Sequence, residues 1–84
     1  MADVKIGRVT HYYDKIGVAV VELTEDLSLD DMVKFVRGGE DLFSQKVSSM
    51  QIEHKNIDNA QSGQTIGMKV DQGMKDGSEV YKVV

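Results

Sequence analysis

Nowhere in this chain do apolar residues recur at helical spacing for long enough to make an amphipathic helix. They alternate in twos, between short corners rich in glycine, aspartate and asparagine. A chain patterned this way buries its apolar side chains between strands, which sets the class as all-β. Val4 to Tyr13 is the first such run, ending in the β-favouring Thr10, Tyr12 and Tyr13. Asp14 to Gly17 reads as a turn, and Val18 to Leu23 is so nearly apolar throughout that it predicts a central strand. Thr24 to Asp31 sets Leu27 and Leu29 among Glu25, Asp26, Asp30 and Asp31. It is too short for a stable helix and predicts a loop whose leucines tuck back under the sheet. Met32 to Arg37 is a third strand with Val33 and Phe35 inward, followed by a turn at Gly38 to Asp41.

Leu42 to His54 is the longest candidate strand. Phe43, Gln45 and Val47 share one parity, and Met50, Ile52 and His54 the other. The phase switches near Ser48 and Ser49, through a β-bulge or a break into two short strands. Lys55 to Gln64 is polar, anchored by Ile57 and Ala60. Thr65 to Val70 follows with Ile66, Met68 and Val70 inward, then a turn-rich Asp71 to Gly77, and Glu79 to Val84 closes the chain. The fold this predicts is a small closed six-stranded antiparallel β-barrel, Greek-key-like, filling residues 1–84 as one domain.

With 84 residues and no cysteine, the chain offers neither a disulfide framework nor a thiolate metal site, and the cytoplasm is the expected compartment. No apolar run approaches the ~20 residues of a membrane span, and the first residues have no signal-peptide layout. A net charge of −4 argues against DNA binding and leaves a specific RNA or protein surface open. His11 and His54 lack the spacing of a metal site, and no catalytic constellation or cofactor motif stands out. The acidic loop at Glu25 to Asp31 lacks a calcium-loop pattern and reads as a solvated charge run. The methionines at positions 1, 32, 50, 68 and 74 read as core filler or surface. Arg8, His11, Tyr12, Tyr13 and Lys15 form the aromatic and basic cluster of the sequence. Aromatic rings beside cations are how β surfaces hold single-stranded RNA. The plainer reading puts one tyrosine in the core and the other over an edge.

An ordered series of landmarks runs through the chain. It comprises Ile6-Gly7-Arg8-Val9, the Leu27 to Phe35 element, Lys46 to Ile52, Ile57 to Gly67, and Asp76 to Val83. This series resembles the second domain of the translational GTPases, the barrel module of elongation factor Tu and initiation factor two. The resemblance implies a barrel of the reductase/isomerase/elongation-factor type that docks without catalysis on RNA, the ribosome or a translation protein. Gly7, Asp30, Asp31, Gly63, Gly67 and Gly77 are then its turn and packing positions. Asp30 stands where the family has glycine, and aspartate tolerates the left-handed region. Gly63 is expected at positive φ and Gly67 where backbones pack closely. No phosphate loop is present, so GTP hydrolysis does not carry over. Similar barrels also lie beside collagenase-like peptidase domains. The alternative is therefore a protein-interaction or accessory module of a larger enzyme, such as a peptidase-like partner, with no nucleic-acid contact. A monomer is the default expectation.

Overall fold

The computed structural model describes residues 3–74 and 76–83. The expectations that fall on Met1, Ala2, Lys75 and Val84 lie outside the described residues. In chain order the strands are β1 (Val4–Tyr13), β2 (Val18–Leu23), β3 (Leu27–Ser28), β4 (Met32–Arg37), β5 (Glu40–Lys46), β6 (Met50–Ile52), β7 (Lys55–Ile57), β8 (Asn59–Ala60), β9 (Thr65–Lys69) and β10 (Glu79–Lys82). Eight of them form one antiparallel sheet in the order β5-β4-β10-β1-β2-β9-β6-β7, and β3 pairs with β8 in a small second sheet. Among the described residues no helix is long and apolar enough to cross a membrane.

The closed six-stranded barrel is not found. β5 and β7 stand at the two margins of the large sheet, with no ladder joining them. The reason lies in the Leu42 to His54 run, which breaks between Lys46 and Met50 instead of continuing through a bulge. At the break Val47 donates its N–H to the carbonyl of Asp31 and accepts the N–H of Asp30, each at 2.9 Å. The backbone that could have carried a ladder onward is spent on the acidic loop. The sheet still rolls far enough to bring its first and sixth strands together, and one side chain bridges them. Gln45 of β5, 7% exposed, donates from Nε2 to the Lys69 carbonyl at 3.0 Å and accepts the Asp71 N–H at Oε1 at 2.8 Å. A buried amide with both ends satisfied is stabilising, whereas an unpaired one would be costly.

Inside the roll, Ile6, Val9, Val21, Leu23, Val33, Phe35, Ile66, Met68 and Val80 are at most 1% exposed. Phe35 packs on Phe43 with ring centroids 4.9 Å apart. Leu27 and Ala60, paired across the small sheet, are buried as well and plug one end, while Leu29 packs half-buried against the core. Asp30 sits at φ 70, so the turn expected there persists without glycine. The short strands β7 and β8 fall in the stretch read as polar connection, because marginal strands carry little apolar pattern.

On the outer face, Glu79 accepts the Tyr81 hydroxyl at 2.9 Å and lies 3.5 Å from Lys5. Beside it Lys34 pairs with Asp3 and Asp41. The Tyr81 hydrogen bond, then the Lys5 charge, hold the Glu79 carboxyl below its ordinary 4.5. A carboxyl more acidic in the folded state binds its proton more readily when the chain unfolds. Its contribution is therefore complete above the ordinary value and fades as pH falls through the folded one. The urea midpoint of the native chain is expected to drop more steeply below about pH 4.5 than that of Glu79→Gln. Parallel curves for the two proteins would show that this carboxyl is not coupled to folding.

Candidate functional site

The geometry of the outer face is set by a bulge in β1. Against β2 the register runs Val9↔Val21 and then His11↔Val20, so Thr10 is an extra residue. The inserted residue changes the phase of everything after it. Tyr12 turns inward, packs half-buried against the core and lies beside Gly73. His11 and Tyr13 turn outward together, with ring centroids 4.2 Å apart in an edge-on arrangement. Asp76 holds this segment from the far side of the chain. It accepts the Tyr12 N–H at 2.9 Å, and its other oxygen lies 3.6 Å from His11 Nδ1.

The aromatic-basic cluster is thereby divided. Tyr12 belongs to the inner face, and Lys15 lies exposed in the following turn. Arg8 is outward but stands in register between Glu22 and Glu79. A cation flanked by carboxylates on both neighbouring strands makes a poor phosphate contact. Of the five residues, the structure brings His11 and Tyr13 together.

A different feature emerges next to Tyr13. Across three adjacent strands Val20, Gly67 and Gln51 stand in register on β2, β9 and β6. The middle position has no side chain, and a hollow opens over Gly67. Tyr13, Ile16, Val18 and Val20 form its apolar side, and Gln51, Glu53 and His54 its polar side, enclosing about 410 Å³. Ile16 is 64% exposed and Tyr13 48%. A Cβ added at Gly67 would meet Val18 Cγ1 at 3.4 Å and the Gln51 carbonyl at 4.0 Å, which is ordinary contact. The close backbone approach expected at Gly67 is found at Gly7 instead, where a Cβ would lie 2.5 Å from the Glu22 carbonyl oxygen.

The polar rim is held by a strained corner. Ile52 pairs with Lys55, leaving Glu53 and His54 as a two-residue loop. Both have positive φ, 50° and 67°. Such loops favour asparagine and glycine, because a Cβ disfavours the left-handed region. Replacing the pair through Glu53→Asn and His54→Gly should relieve this conformation and stabilise the fold by about 1 kcal/mol, a rise in Tm of about 4–8 °C. Thermal unfolding followed by circular dichroism measures it. A fall in Tm would mean that the two side chains support the fold more than the corner strains it. The sequence carried two signals for this site that the cluster reading passed over. One is a glycine at an outward position of a central strand, and the other is a hairpin corner with neither glycine nor asparagine.

No protein-family model matches the chain. It is 35% identical over 78 residues to an uncharacterized protease of Methanocaldococcus jannaschii, an alignment covering 93% of this chain and 19% of the relative. The chain thus spans about a fifth of the length of the curated relative it matches. Two crystal structures of the C-terminal domain of a candidate U32 peptidase from Geobacillus thermoleovorans share its fold. One superposes with a TM-score of 0.88 over 96% of this chain and 93% of that domain, at 22% identity. The selenomethionine variant gives 0.83 over 90% and 95%, also at 22% identity.

These findings overturn the resemblance to the second domain of translational GTPases. The sequence relative is a protease, and the structural counterparts are peptidase C-terminal domains. The landmarks that suggested translation have local causes. Gly63 and Gly77 sit at φ 89 and 88 in tight corners, Gly7 at a bulge against β10, and Asp31 accepts the Ser28 N–H at 2.9 Å. Any short-stranded antiparallel roll needs corners of this kind.

Proposed function

We propose that this chain is the accessory module of a U32-type peptidase and works by holding a protein surface, with no chemistry of its own. The observation that carries this reading is an alignment that takes in nearly all of the chain and about a fifth of a protease. The fold shared with the peptidase C-terminal domains supports it. The placement of the histidines agrees: His11 is engaged with Asp76 and Tyr13, and His54 lies in a hairpin corner on the opposite side of the hollow. Among the described residues, no three metal-ligating side chains gather.

The test is affinity capture of the tagged chain from its source cells after nuclease treatment, with stoichiometry and identity read by mass spectrometry. A peptidase-type protein retained in a near-equal ratio is the expected result. Retention of ribosomal proteins or RNA, with no peptidase, would overturn the assignment.

A further inference from the structure

The hollow over Gly67 and the strained corner beside it lie on one face of the sheet and define one site. Resting on the accessory-module reading, we propose that this site takes an extended segment of the peptidase body in which apolar side chains precede a lysine or arginine. The apolar side chains enter over Gly67, between Val18, Val20 and Ile16, and the cation meets Glu53.

Two independent features of the structure converge on this occupant. The first is the shape and charge of the hollow. Its floor is a glycine, its apolar wall is made of side chains left half-buried or exposed on a rigid three-strand platform, and about 410 Å³ gives room for more than one side chain. Glu53 is the one carboxylate of the lining, which contains no lysine or arginine. The nearest cation on the same strand face is Lys69, two residues beyond Gly67 and outside the lining. An incoming cation therefore finds its partner at the Glu53 rim and nowhere else in the hollow. The second feature is the conformation of that rim. Glu53 and His54 both hold positive φ where an asparagine–glycine pair would fit without strain. Strain of this kind collects at binding sites, where it fixes the direction of a side chain. Here it fixes Glu53 at the mouth of the hollow.

The site can be filled from within without breaking the fold. Gly67 has no positive φ, and an added Cβ makes ordinary contacts, so Gly67→Ile adds a β-branched side chain to a strand and occupies the hollow. The experiment is an amide-resolved NMR titration of the intact chain. The probes are an end-blocked hexapeptide with two central leucines followed by arginine, a twin with glutamate for the arginine, and a twin with serines for the leucines. The leucine–arginine peptide should shift the amides of Val18, Val20, Gln51 and Gly67, and bind at least tenfold more tightly than either twin. Gly67→Ile should lose at least tenfold in affinity, and Glu53→Gln should erase the preference for arginine over glutamate. Val20→Thr, which keeps the β-branched shape, provides a second variant should Gly67→Ile fail to give native-like spectra, and should weaken binding in the same way. Shifts confined to other surfaces, equal affinity for the three peptides, or binding untouched by both hollow variants would overturn the proposal. Capture of a peptidase by Gly67→Ile as efficiently as by the native chain would also remove the site while leaving the accessory-module reading intact.

Discussion

Phe35→Ala is expected to destabilise the domain by about 3–5 kcal/mol, close to the limit of what it can lose. Phe35 is fully buried and stands in register between Val80 on one side and Phe43 on the other. Truncation leaves a cavity ringed by strands that are tied to their own partners and cannot collapse into it. At about 0.05–0.15 kcal/mol per residue, a chain of 84 residues has about 4–13 kcal/mol in all. The substitution should lower Tm by roughly 12–40 °C, and a chain at the low end of the stability range will not fold at all. Phe35→Leu, which keeps most of the volume, should lose far less. Urea unfolding monitored by circular dichroism gives both values. A loss under about 1 kcal/mol for the alanine variant would mean that the roll is not packed around this ring.

Gly7→Ala should be nearly as damaging, although it adds a single methyl group to the chain. The new Cβ would lie 2.5 Å from the Glu22 carbonyl oxygen and 3.2 Å from its carbonyl carbon, both backbone atoms fixed in the β1–β2 ladder. A side chain could swing aside, but a ladder carbonyl cannot without breaking its register. A loss of about 2–3 kcal/mol follows from such overpacking. The control is Gly67→Ala, at a site where the same methyl group meets ordinary contacts. There, relief of chain entropy in the unfolded state should leave stability unchanged or raised by about 0.4–1 kcal/mol. Comparable losses at the two positions would show that the contact at Gly7 is not what the substitution disturbs.

The strands with clear alternation were legible from the sequence. Val18 to Leu23 and Met32 to Arg37 form strands with those bounds, and Ile66, Met68 and Val70 face inward as their spacing requires. The parity switch near Ser48 was visible too, but its outcome depended on long-range hydrogen bonds. Val47 bonds to the Asp30–Asp31 loop, and no local pattern announces that choice. The closed ring was inferred by extending a strand that the fold interrupts. The candidate site suffered from a similar blindness. Thr10 looks like any strand residue, yet as a bulge it sends Tyr12 to one face and Tyr13 to the other, dividing a cluster that looks contiguous along the chain. The hollow over Gly67 depends on Val20 and Gln51, which are 31 residues apart and meet only when β2, β9 and β6 are aligned.

Gln45 gives the roll a property that a hoop would lack. A hoop has its girth fixed by strand count and stagger, and widening it means cutting every rung along one line. This domain is a cuff closed by a single buckle, and the reach of one glutamine between two backbone groups sets how tightly it is drawn. Sequences that shorten or lengthen the buckle can retune the girth without rewriting the rest of the cloth.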